Sequence, residues 1–161
     1  MDDNYLELTK RIFSNRKFMK LKDEVHHRNT TRYDHLVDVS YRTYKICKRL
    51  NLDYKSATRA ALLHDFYFDS EFKSESNKIL KHSEMSLVNA SKLCKLNDKE
   101  VSIIASHMFP VGGKIPKNLE SVVVNLVDDY VSIKERVNGD FKKLRYAVRF
   151  IVLLFVCFIK Y

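Results

Sequence analysis

Polar and apolar residues recur along this chain with the period of an α-helix. Over residues 33–50, Leu36, Val39, Thr43, Ile46 and Leu50 return every three to four positions, as in the buried stripe of an amphipathic helix. Asn51-Leu52-Asp53 interrupts that stripe, and Asp53 has the short acceptor side chain of an N-cap for a helix over 54–64. That helix carries Ala57, Ala60, Ala61, Leu62 and Leu63, whose small members allow close helix packing. Upstream, residues 5–21 read as one amphipathic helix with Leu6, Ile12, Phe13 and Phe18 as its apolar positions, followed by a polar connection over 26–31. Downstream, 66–81 reads as a polar, weakly periodic loop with aromatic residues, and 82–96 as a helix carrying Met85, Val88 and Leu93. Asn97 with Glu100 three residues on is a capping-box pattern for a helix over 98–107. A loop over 109–117 holds both prolines, a helix over 119–137 ends at Asn138-Gly139, and a last helix covers 141–161. No stretch alternates as strands do and no segment repeats, so an all-α fold in a single domain, 1–161, is expected.

Composition sharpens this picture. With 161 residues the chain can bury a core without staples, and only 3 glycines and 2 prolines favour long helices over tight turns. The net charge of +9 attracts anions such as phosphates, nucleic acids and lipid headgroups. Solvated helix faces account for most of these charges, and a nucleic-acid partner is not expected. Cys47, Cys94 and Cys157 are far apart, odd in number and set among apolar neighbours, as buried free thiols are. The start, Met1-Asp2-Asp3-Asn4, lacks the pattern of a signal peptide, so a cytoplasmic protein is expected.

The chemistry lies in the histidines and certain aspartates. His35, the pair His64-Asp65, His82, His107 and Asp128 fall on five consecutive expected helices, mostly near their ends. Imidazole and carboxylate together suit divalent first-row metals, and ligands from several helices can converge inside a bundle. One histidine on a helix is ordinarily a hydrogen-bonding core residue. The pair His64-Asp65 is more informative, because a charged pair abutting an apolar run needs compensation that a metal can supply.

The order of an isolated His, a His-Asp pair and a distant Asp resembles the HD superfamily. It reads here as His35, His64-Asp65 and Asp128. The strings Thr30-Thr31-Arg32-Tyr33-Asp34-His35, Ala61-Leu62-Leu63-His64-Asp65-Phe66, His107-Met108-Phe109-Pro110 and Leu126-Val127-Asp128-Asp129-Tyr130 are similar to those of small bacterial HD phosphohydrolases, over roughly 5–136. The resemblance implies an all-α helical bundle with a metal site between its central helices and a motif-bearing core over 22–136. It implies that His35, His64, Asp65 and Asp128 bind a first divalent ion, and that His82 and His107 bind a second, with Asp65 bridging. Iron, manganese, cobalt, nickel, zinc and magnesium are the candidate ions. A metal-activated hydroxide would then attack a nucleotide or another small phosphorylated substrate.

Asp65, Arg32 and His27 are the candidate catalytic residues. The fork of Arg32 suits phosphate oxygens, a surface salt bridge being the alternative. His26 and His27 could steady a phosphate or protonate a leaving group, or face solvent. Asp129 is a rival to Asp128, but the helix register favours Asp128 and leaves Asp129 beside the site or in solvent. Phe66-Tyr67-Phe68-Asp69 after the pair departs from the cyclic-dinucleotide phosphodiesterases and from the alarmone hydrolases. Some HD relatives hold two irons in the same ligand set and activate oxygen, and a nucleotide- or anion-binding sensor is a third reading. The apolar run from Phe150 to Ile159 is too short to span a bilayer, which takes about 20 residues. Packing into the core or between subunits is favoured for it, and peripheral membrane contact is the alternative.

Overall fold

A computed structural model describes residues 2–27, 30–111 and 114–137. Among them run seven α-helices: α1 (Asp3–Phe13), α2 (Arg16–Met19), α3 (Arg32–Arg49), α4 (Tyr54–Leu63), α5 (Glu75–Leu93), α6 (Asp98–Ser106) and α7 (Leu119–Val137). Two short antiparallel strands, β1 (Val25–His27) and β2 (Thr30–Thr31), join α2 to α3. The fold is all-α apart from this hairpin, as the pattern of positions predicts.

Helix α4 is the hub. It touches α1, α3, α5, α6 and α7, and Ala57, Ala60, Ala61, Leu62 and Leu63 are completely buried. Its alanines let α3 and α6 come close, while Lys55 at its start stays exposed. Leu36 and Val39 of α3, Ile103 and Ile104 of α6, and Val124 and Val131 of α7 close the core around it. Burying each of the large aliphatic side chains contributes about 1.5–3 kcal/mol. Cys47 and Cys94 are buried free thiols, and burial pushes Cys47 up to about 12.

Local chemistry sets the element ends. Asp53 caps α4 by accepting from the Ser56 amide at 3.1 Å. Asn97 and Glu100 form the expected reciprocal capping box on α6. Helix α3 ends with Asn51 at φ 52°, with the Leu52 amide donating to Cys47 O at 2.9 Å and the Asn51 amide to Lys48 O at 3.4 Å. This is the paired bonding of a Schellman end, with asparagine in the left-handed position usually held by glycine.

Four expectations are corrected. Residues 5–21 do not form one helix, because the Asn15 side chain accepts from the Phe18 amide at 3.0 Å and starts α2 afresh. The buried face of α1 is Tyr5, Thr9 and Ile12, while Leu6 is exposed. The polar stretch around His26 is a hairpin instead of a plain connection. Helix α5 begins at Glu75, so the expected loop over 66–81 ends before it and the helix starts ahead of His82. No helix among the described residues is long and apolar enough to cross a membrane. The expected helix over 141–161, its membrane or packing role, and Cys157 all lie outside the described residues.

Candidate metal centre

Three histidines are fixed by one device. His64 follows the last turn of α4 and its Nδ1 donates to Ala61 O at 2.8 Å. His107 follows the last turn of α6 and its Nδ1 donates to Ile104 O at 2.8 Å. In both cases the ring takes up a carbonyl that the helix end leaves without an intrahelical donor. Within α5, the His82 Nδ1 donates to Lys78 O at 3.0 Å. A carbonyl only accepts, so Nδ1 carries the hydrogen in each ring and Nε2 of the neutral ring is a lone pair turned inward.

The inward lone pairs are close together. His82 Nε2 and His107 Nε2 lie 3.0 Å apart. Two lone pairs at that distance repel unless a proton or a cation sits with them. Asp65 Oδ1 lies 3.2 Å from His107 Nε2 and 3.6 Å from His82 Nε2. On the other side of the His64-Asp65 pair, Asp128 Oδ1 lies 3.0 Å from His35 Nε2 and 3.5 Å from His64 Nε2. The second ring nitrogen of His35, Nδ1, meets Glu135 Oε2 at 3.2 Å. A carboxylate on the far nitrogen orients an imidazole and raises its basicity as a ligand.

The electrostatics match this crowding. Burial alone would raise Asp65, but His64, His107 and His82 around it hold the carboxyl well below the usual range. Asp128 is lowered in the same way by His64 and His35 against the cost of burial. Burial would lower His35, yet its bonds to Asp128 and Glu135 outweigh that and push it up to about 10. Burial and the neighbouring His107 keep His82 low, which favours its neutral, ligating form.

Among the buried polar atoms that find no hydrogen-bond partner in the described residues are His64 Nε2 and Asp65 Oδ1. Leaving such atoms unsatisfied is costly, and both point into the site. Three groups of side chains have their ligand atoms within 4.8 Å of one another: His35, His64 and Asp128; Asp65, His82 and His107; and His26, His35 and Asp65. The donor set therefore fits divalent metal. All six residues that the sequence nominates as ligands are brought to one place, on or beside α3 to α7.

Arg32 lies elsewhere in the balance of forces. It is 1% exposed, and its terminal nitrogens donate to Glu24 Oε2 at 3.2 Å, Tyr67 O at 3.0 Å and Asp69 Oδ1 at 2.8 Å. Its guanidinium also stacks 3.9 Å from the centre of the Tyr67 ring. In this structure the guanidinium is engaged in salt bridges and a carbonyl bond that tie together the hairpin, the start of α3 and the segment after His64-Asp65. Asp129 is exposed. The side chain of His27 is outside the described part of the structure, and so is any catalytic part for it. Glu135 and Tyr67 are not among the residues that the sequence nominates for the site. Glu135 is seven residues after Asp128, two turns along α7, and that spacing on one helix face was the signal that could have found it.

The sequence model of the HD domain matches residues 32–132. No curated protein and no solved structure matches the chain. Matched over more than half of its length, the chain belongs to the HD domain family, a superfamily of metal-dependent hydrolases.

Proposed function

We propose that this chain is a metal-dependent phosphohydrolase acting on a nucleotide or another small phosphorylated compound. The observation that carries this reading is the pair of ligand trios joined at His64-Asp65, with imidazole lone pairs turned inward. In this reading His35, His64, Asp65 and Asp128 hold one divalent ion. His82 and His107 would hold a second together with Asp65. Divalent ions bound there would supply positive charge to phosphoryl oxygens and lower the pKa of a bound water.

The rest is the work of the chain itself. The carbonyls of Ala61, Lys78 and Ile104 hold three rings in one tautomer, so none has to reorient on binding. Glu135 fixes the fourth ring from behind. The buried tie at Arg32 holds the segment that follows Asp65, which keeps that carboxylate in place. The +9 charge draws an anionic substrate toward the protein.

The test is protein stripped of metal, reloaded with each divalent ion in turn and offered a panel of nucleotides and sugar phosphates. Metal-dependent phosphate release is expected, with release and most bound metal both lost in Asp65→Ala. Full metal occupancy in Asp65→Ala would refute the ligand assignment. No release from any compound with any ion would refute the reaction, and oxygen uptake by iron-loaded protein would replace it with oxygenase chemistry.

A further inference from the structure

We propose that His26 is an additional metal ligand, supplied to the first ion position by the hairpin from outside the helical core. The inference rests on the metal reading of the site and adds to it a residue beyond the six-residue set. His26 stands on β1, half-buried, with its ring centre 4.3 Å from that of His35 and the two planes inclined at 43°. One of its ring nitrogens lies within 4.8 Å of ligand atoms of both His35 and Asp65. Those are two of the four groups assigned to the first ion.

The hairpin is bolted beside the site. The Arg32 amide donates to Glu24 O at 2.8 Å and the Arg32 guanidinium to Glu24 Oε2 at 3.2 Å, next to the base of β1 and three residues before His35. Strand β1 also packs against α3 and α7, the helices that carry His35 and Asp128. The imidazole is thus held at the site by backbone and by an ion pair. Its surroundings favour a cation: the carboxylates of Asp65, Asp128 and Glu135 converge on the same few rings.

Adding His26 makes the two ion positions unequal. The first would gain His26 beside His35 and Asp65, the two residues whose ligand atoms it approaches. The second would draw on Asp65, His82 and His107 alone. An ion at the first position would then be the more tightly held of the two.

Cobalt(II) titration of stripped protein, followed by visible absorption and by metal per chain after dialysis against graded chelator, tests this. Wild-type protein is expected to take two ions in two steps. His26→Ala should weaken the tighter step by on the order of tenfold or more, strengthen the absorption of that ion as its coordination number falls, and leave the weaker step unchanged. Free imidazole should restore the tighter step in His26→Ala. His82→Ala should do the opposite, sparing the tighter step. His26→Gln, nearly isosteric, carries the same expectation if far-UV circular dichroism shows that the alanine variant has lost helix. Titrations of His26→Ala or His26→Gln that superimpose on wild type would overturn the role of His26 and leave the six-ligand reading standing. Absence of cobalt uptake by wild-type protein would overturn both.

Discussion

Arg32 shows how one side chain chooses between substrate and fold. A guanidinium near a phosphate site would keep its fork open, but here the fork is closed on Glu24, Asp69 and the Tyr67 carbonyl, with Tyr67 stacked over it. Burial works against its charge and the contacts with Tyr67, Asp65 and Asp69 more than restore it, so Arg32 stays protonated. Arg32→Met is expected to cost about 2–3 kcal/mol. That is below the roughly 3–5 kcal/mol of a fully buried pair, because Glu24 and Asp69 can turn to water once abandoned. Urea melts of the metal-free protein would measure it. Unaltered stability with a raised KM for a phosphorylated substrate would return Arg32 to the role of clamp.

At the scale of elements, ends and ties decide more than helix interiors. Asn51 holds the left-handed turn between α3 and α4, a conformation that costs most residues about 1–2 kcal/mol and glycine nothing. Asn51→Gly should leave stability level or up to about 1 kcal/mol higher, and Asn51→Val should lower it by about 1–2 kcal/mol, read as shifts of the urea midpoint. If Asn51→Val is harmless, the Schellman end does not set the α3–α4 angle. A second tie joins α3 to α7. Asp38 accepts from Arg42 at 2.7 Å and from Lys134 at 3.1 Å. Burial alone would raise its carboxyl, but Arg42 and Lys134 hold it below the ordinary value. The folded state therefore binds the proton less well than the unfolded chain. The contribution is complete above the unfolded carboxylate range near ~4 and disappears as pH falls through the lowered folded value. Because the pair is partly exposed, it is worth at most about 1 kcal/mol. The coupling of Asp38→Asn with Lys134→Ala in a double-mutant cycle should be measurable at pH 7 and vanish near pH 2, and a coupling that persists in acid would contradict this.

For the whole molecule, the site and the core are one structure. Its proposed ligands come from α3, α5 and α7 and from the ends of α4 and α6, around the hub helix. An ion that binds only the folded chain stabilises it by about 2.7 kcal/mol at a hundredfold excess over Kd. In a chain of this size that is roughly 5–10 °C in Tm. Differential scanning calorimetry with chelator and with added divalent ion should show this gap, and His107→Ala should narrow it. Equal melting temperatures with and without ion would mean that the cluster is held by protons and hydrogen bonds alone.

The amino-acid sequence by itself determined the helical class, most helix limits and the six histidines and aspartates that meet at the site. The reason is local: the apolar period of α3, the caps at Asp53 and Asn97, and the scarcity of glycine and proline act between residues close in the chain. The His-Asp pair was legible because its two members are adjacent. Only the tertiary structure decided what depends on distant partners. In the polar stretch around His26, Val25–His27 pairs with Thr30–Thr31 because these strands pack on α3 and α7, which no local propensity encodes. Arg32 lost its freedom to Glu24 and Asp69, 8 and 37 residues away, and His35 gained Glu135 across 100 residues. His26 came to face His35 and Asp65 for the same reason: burial brings together charges that the sequence keeps apart, and each then takes the partner that least leaves it unpaired.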